Sequence, residues 1–143
     1  MHFLSKLLTA TTAVCMVLVG TAQAAELIVN VRHARSTQGV IALAVYDSET
    51  GFLMDDAAIA SAKVMPMTDA TPVVFKDLPP GTYAVAAFHD ENESGEFDTN
   101  FLGIPKEGYG FSNGAKAFLG PPAFQDAAIA LETEAMTDLD LSY

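Results

Sequence analysis

Cysteine is nearly missing from this chain. The one copy, Cys15, lies in an apolar run near the N-terminus, so the remainder can form no disulfide. Basic residues are scarce as well: 7 Lys+Arg stand against 18 Asp+Glu, a formal net charge of −11. That balance excludes the basic footprint a nucleic-acid binder needs over phosphates, and it opposes electrostatic attachment to anionic lipid. Tryptophan is absent. Beyond residue 24 no apolar run approaches the ~18 residues of a membrane helix. Apolar residues nevertheless make up 50% of the chain, with 9 Phe and 4 Tyr. This is too much for an acidic disordered tail and enough for one sizeable core. A length of 143 residues predicts one domain.

The N-terminus has the form of a secretory signal over residues 1–24. Lys6 supplies the positive start, Leu7 to Val19 form a short apolar stretch, and Ala22-Gln23-Ala24 fits a small-x-small cleavage site. Cleavage before Ala25 leaves a single domain, 25–143, with six basic side chains against 18 acidic ones. Val14 before Cys15 is not the small residue a lipoprotein signal requires. The expected location is periplasmic or secreted, with no transmembrane segment in the mature chain.

From Glu26 the apolar period is two, the period of a strand. Leu27, Val29 and Val31 alternate with Ile28, Asn30 and Arg32. Val40 to Asp47 is apolar on both faces, as in a central strand. Residues 52–62 predict a short helix or a crossover loop, with Asp55-Asp56 early, where a helix dipole favours acids. Strands follow at 63–67 and 71–76. Leu78-Pro79-Pro80-Gly81 makes a tight turn. Thr82 to His89 alternates Tyr83, Val85 and Ala87 against Ala84, Ala86 and Phe88. Two last strands are expected at 127–131 and 136–141. About seven short strands with Pro/Gly turns predict an all-β fold, an antiparallel β-sandwich with one short helix. The stretch 90–122 has no hydrophobic period and holds six of the ten glycines, marking a long Gly-rich acidic loop.

That loop carries the chemistry. In His89-Asp90-Glu91-Asn92-Glu93-Ser94-Gly95-Glu96-Phe97-Asp98-Thr99-Asn100, oxygen-bearing side chains recur at every second position, and Gly95 sits where an Asp-x-Asn-x-Ser-Gly loop turns sharply. The frame matches the first half of a calcium loop, with ligands Asp90, Asn92, Ser94, the Glu96 carbonyl and Asp98. Calcium takes six to eight oxygens, and the position of a closing bidentate Glu is Phe101, so waters or Glu107 must complete the shell. Five acids within residues 90–98, with no base among them, also favour a cation. The competing reading is a solvated acidic loop.

His89 with Asp90 and His33 is a weaker candidate for zinc or copper, because such sites need three or four convergent ligands. A strand-end histidine bonded to a neighbouring loop is the preferred role. Tyr109 and Phe111, set between glycines, either form a ligand platform or fold back over one end of the sandwich; the second is preferred.

Several segments together resemble a bacterial family, domain of unknown function family 2141. These are Asp77-Leu78-Pro79-Pro80-Gly81-Thr82-Tyr83-Ala84-Val85, His89-Asp90-Glu91-Asn92, Gly95, Asp98, Asn100, Gly103-Ile104-Pro105, Glu107-Gly108-Tyr109-Gly110 and Ser112-Asn113. The resemblance covers most of residues 25–143 and implies an exported protein without an assigned activity. The Leu-Pro-Pro-Gly-Thr-Tyr-Ala-Val run is also similar to the turn and strand of transthyretin-like and carboxypeptidase-regulatory-like sandwiches, an analogy of fold alone; the sandwich expected is immunoglobulin-like or transthyretin-like. Transthyretin-like hydrolases end in Tyr-Arg-Gly-Ser. This chain ends in Leu141-Ser142-Tyr143, which disfavours that enzyme.

The chain has no zinc-protease helix motif or phosphate loop. Ser112 and His89 lack a third group. The expected function is a non-catalytic binding or structural module with a calcium-stabilised loop, its partner an exported protein or a glycan. The alternative is a periplasmic enzyme, for example a glycan-directed hydrolase, using Asp90, Glu91 or Asp98 as a general acid–base pair. An outer-membrane barrel needs strands of ~9–11 residues, longer than several of those here.

Overall fold

The computed structural model describes residues 20, 21 and 23–143. Most of the expected signal segment, with Lys6 and Cys15, lies outside the described residues.

Strand β1 (Ala25–Arg32) is buried at every second position. Ala25, Leu27, Val29 and Val31 point inward, each at 1% exposure or less. It is the middle strand of a three-stranded sheet with β4 (Ala70–Leu78) and β8 (Glu134–Asp140), in the order β4-β1-β8. β1 and β4 are antiparallel, with Leu27 opposite Phe75 and Val29 opposite Val73. β1 and β8 are parallel, with Val31 opposite Leu139. The sandwich is therefore not antiparallel throughout: its last strand returns beside the first in the same direction. On the outer face Arg32 bonds Asp140 at 2.7 Å and Asp138 at 3.0 Å. This guanidinium holds the Asp140 carboxyl below its ordinary range.

The second sheet runs β3 (Ala60–Val64), β2 (Val40–Tyr46), β5 (Gly81–Asp90), β6 (Tyr109–Phe111), and β7 (Ile129–Leu131) pairs the start of β5. Its inner face gives Ile41, Leu43, Val45, Tyr83, Val85 and Ala87 to the core between the sheets. Fully burying one Leu or Ile contributes ~1.5–3 kcal/mol, and with no disulfide this core carries the stability. β2 and β5 are apolar on their outer faces too. There a second cluster forms, in which Phe52 meets Tyr46, Phe111 and Phe124 edge-on at ring-centroid distances of 5.5, 6.4 and 5.8 Å.

Eight strands are present among the described residues, where the sequence predicts about seven; the added one, β6, lies inside the glycine-rich stretch. No helix forms at 52–62. Residues 49–53 turn, and strand begins at Ala60, three residues before the expected 63–67. Phe52 and Leu53 serve instead as a cover over the second cluster. A short α-helix, α1 (Phe124–Ala127), occupies the approach to β7, so the strand expected at 127–131 starts only at Ile129. No helix among the described residues is long and apolar enough to cross a membrane.

Candidate metal centre

β5 delivers its last two residues, His89 and Asp90, to the base of the acidic loop, both buried at 1% exposure or less. Asp90 organises the first turn of that loop. One of its oxygens accepts the Ser94 N–H at 3.0 Å and the other accepts the Gly95 N–H at 2.8 Å. Gly95 has φ +82°, the left-handed region glycine enters without penalty, and so supplies the expected sharp turn.

The five ligands proposed from sequence come together, with Ser94 and Asp98 at the centre. Asn92 Nδ2 donates to Asp98 Oδ2 at 2.8 Å, and Ser94 Oγ reaches the same oxygen at 3.3 Å. Ser94 Oγ also donates to the Glu96 carbonyl at 3.1 Å, while Asn92 Oδ1 accepts the Ser94 N–H at 3.1 Å. The Glu96 side chain is exposed; only its carbonyl takes part. Phe101, at the position of a closing glutamate, is 94% exposed and contributes nothing.

The chain then makes a small hairpin, with Thr99 bridging Pro105 and the Asn100 side chain accepting the Leu102 and Ile104 N–H groups. This brings Glu107 back beside Asp98. Glu107 Oε2 accepts the Asp98 N–H at 3.1 Å. Glu107 is only 5% exposed, and its Oε1 is buried with no hydrogen-bond partner among the described residues. Burial pushes this carboxyl's pKa up, as do the nearby charges of Asp90, Asp98 and Glu91, while the Asp98 N–H pulls the other way.

Beside it lies a polar cavity of about 310 Å³ walled by Glu107, Asp98, Asn92, Glu91, Arg35 and Lys106. Arg35 is engaged with Glu91 at 2.6 Å and lies over the Tyr143 ring at 4.5 Å. Three acids and two bases line this cavity, and Asp90, its oxygens bonded to the Ser94 and Gly95 N–H groups, adds a fourth carboxylate nearby. Among the described residues no three His, Cys, Asp or Glu side chains already sit in metal-ligand geometry. The oxygen set here mixes two Asp, one Glu, an amide, a hydroxyl and a carbonyl, a hard-donor composition that suits calcium and not zinc.

The histidines do not join it. His89 Nε2 meets the Gln38 carbonyl at 2.7 Å and Nδ1 meets the Tyr143 hydroxyl at 2.7 Å. Nε2 carries the proton, since a carbonyl only accepts, and Nδ1 accepts from the tyrosine. Gly108 makes room for this arrangement, because a Cβ there would lie 2.3 Å from the Tyr143 ring. His33 lies 3.6 Å from Asp140, on the three-stranded sheet. The zinc or copper grouping is not assembled. Nor is a Ser112–His89 pair: buried Ser112 donates to the Ala127 carbonyl at 2.6 Å and accepts the Val85 N–H at 2.8 Å, a structural staple. Phe111 packs into the second cluster, and Tyr109 is half-buried beside it.

The profile of the family described as "Uncharacterized protein conserved in bacteria (DUF2141)" matches residues 29–138, a span that takes in both sheets and the entire acidic loop. This chain belongs to that family. No curated protein and no solved structure matches it. The family description assigns no activity, so the function of this DUF2141 protein has to be sought in the chemistry of its loop.

Proposed function

We propose that this DUF2141 protein is an exported, non-catalytic β-sandwich module for binding or structure, and that calcium closes its acidic loop. The ligands are Asp90, Asn92, Ser94, the Glu96 carbonyl and Asp98, with Glu107 completing the set from across the hairpin. The observation that carries this reading is Glu107 Oε1, a buried oxygen without a partner among the described residues, next to an excess of carboxylates. An unmet buried acceptor costs free energy, and a hard cation satisfies it. The partner of the module is an exported protein or a glycan.

Binding to the folded state alone stabilises it by RT ln(1 + [L]/Kd). At ten times Kd this is about 1.4 kcal/mol, a rise in melting temperature of a few degrees for a domain of this size. Thermal melts with calcium and with chelator should show that rise for the parent. Asp98→Ala should lose it, and Asp69→Ala, in the turn before β4 and outside the ligand set, should keep it. Magnesium, which needs tight octahedral geometry and holds its waters, should be a poor substitute. A calcium shift that survives Asp98→Ala would remove the loop from consideration.

The raised Glu107 carboxyl beside Asp98 also has the form of an acid–base pair, the one feature that favours a periplasmic hydrolase. Its Oε1 is buried beyond reach of a glycan chain, while the adjoining cavity has room for an ion, which makes that the weaker reading. Export has its own check: intact mass of the protein recovered from the periplasm should correspond to a chain beginning at Ala25. A full-length cytoplasmic product would contradict it.

A further inference from the structure

A second site lies on the outer face of the larger sheet, apart from the acidic cavity. Its floor is built of alanines: Ala42 and Ala44 on β2, and Ala86 on β5 directly opposite Ala44. Central strands of a two-sided sheet ordinarily carry large side chains on both faces, as these strands do toward the core. The small residues here leave a cleft of about 630 Å³, within the ~300–1,000 Å³ of small-molecule sites. One wall is aromatic. Phe97 lies against Phe88 and Tyr109, with centroid distances of 5.5 and 5.7 Å. The opposite wall comes from Leu53 and the segment Leu119-Gly120-Pro121.

The loop tips that bear these walls hold unusually exposed apolar residues: Phe101, Leu102 and Ile104 on one, Phe118 and Leu119 on the other, with Leu119 at 98% exposure. Large apolar side chains gathered around an apolar cleft mark a binding surface. Charge selects the occupant. Among the described residues no Lys, Arg or His lines the cleft, and its one charged residue is Asp55, exposed beside Tyr46. The chain's net charge of −11 adds a field of the same sign.

We propose that this cleft binds the alkyl or aromatic body of a small cationic amphiphile, with the cationic head held by Asp55 at the mouth. The apolar body gains burial against the alanine floor and aromatic wall. The head gains an opposite charge and an adjacent aromatic ring, while an anionic head of equal length meets repulsion. Calcium is not a ligand of this cleft, although Phe97 of its wall stands between Glu96 and Asp98 of the acidic loop.

The test is calorimetric titration of the full mature chain, in chelator, with dodecyltrimethylammonium below its micelle concentration and with dodecanoate as the anionic counterpart. Saturable 1:1 binding of the cation is expected, with dodecanoate weaker by about tenfold, a difference of about 1.4 kcal/mol. Ala86→Leu fills the floor without changing charge and should weaken the cation by about tenfold or more. Leu119→Ser alters an exposed wall residue, where folding is not at stake, and should weaken it by a few-fold. Asp55→Asn should bring the two probes to similar affinity.

Absence of saturable binding would overturn the proposal, and so would equal binding of dodecanoate by the parent. Unchanged cation binding by Ala86→Leu and Leu119→Ser would overturn it too, by placing the surfactant elsewhere on the acidic surface. Sedimentation showing a dimer that Leu119→Ser dissociates would assign the face to a second copy and likewise overturn it.

Discussion

Leu27→Ala should destabilise the domain by about 2–5 kcal/mol, the range for truncating a fully buried leucine. Leu27 is 0% exposed in the middle strand of the smaller sheet, paired to Phe75 on one side and Ala135 on the other. Its neighbours are held by strand pairing on both edges, so they collapse little into the space left behind. For a domain of this length the loss corresponds to a fall in melting temperature of roughly 8–20 °C. Val74→Ala, at a site 45% exposed on β4, should change stability by no more than about 0.5 kcal/mol. Urea unfolding of the three proteins checks the contrast. Equal effects at the two positions would contradict the assignment of the core to the space between the sheets.

The second large effect concerns Glu107. Its folded-state pKa lies above the ordinary 4.5 because burial and neighbouring carboxylates disfavour the charge. A raised acid binds its proton more tightly folded than unfolded. Its charge therefore costs stability at all pH above the folded pKa, and the cost is relieved as pH falls through that value toward 4.5. Asp140, lowered by Arg32, acts oppositely and in a different window: its contribution is present above 3.8 and is lost as pH falls through its lower folded pKa. Without calcium, then, the parent should gain stability relative to Glu107→Gln as pH drops from about 7 toward 4.5. At neutral pH Glu107→Gln should be the more stable of the two. Calcium should reverse that order, since the cation favours the carboxylate and the amide is a poorer ligand. Urea midpoints across pH, with and without calcium, read both signs. Parallel curves for parent and variant would show that Glu107 carries no buried charge.

Much of this architecture is legible in the sequence because the relevant signals are periodic. Alternation in Leu27, Val29 and Val31 marks a half-buried strand, and apolar residues on both faces of β2 and β5 mark the centre of a sheet covered on two sides. The loop is readable at Asp90, Asn92, Ser94 and Asp98 because its spacing and Gly95 encode a turn. Other features leave no such trace. β6 is three residues long, too short for a period, and exists because it pairs with β5 at Ala86 to Phe88. Residues 52–62 have helix-compatible composition, yet Phe52 gains more by packing on Tyr46, Phe111 and Phe124 than a short isolated helix would return. A single glutamate between Lys106 and Gly108 does not announce burial; it follows from the hairpin at Thr99–Pro105 that folds it against Asp98. The alanine floor reads in sequence as strand interior, because nothing in the order of residues shows that the space above it stays open.

Calorimetric titration of calcium into the protein of residues 25–143 addresses the central claim most directly. The incomplete set of charged ligands and the neutral Ser94 place the expected affinity on the order of 10⁻⁴–10⁻³ M, the range of extracellular modules. The prediction is one saturable site, absent in Asp98→Ala and weakened in Glu107→Gln. No heat at millimolar calcium, together with a melting temperature indifferent to calcium and chelator, would contradict it and leave the loop a solvated acidic surface.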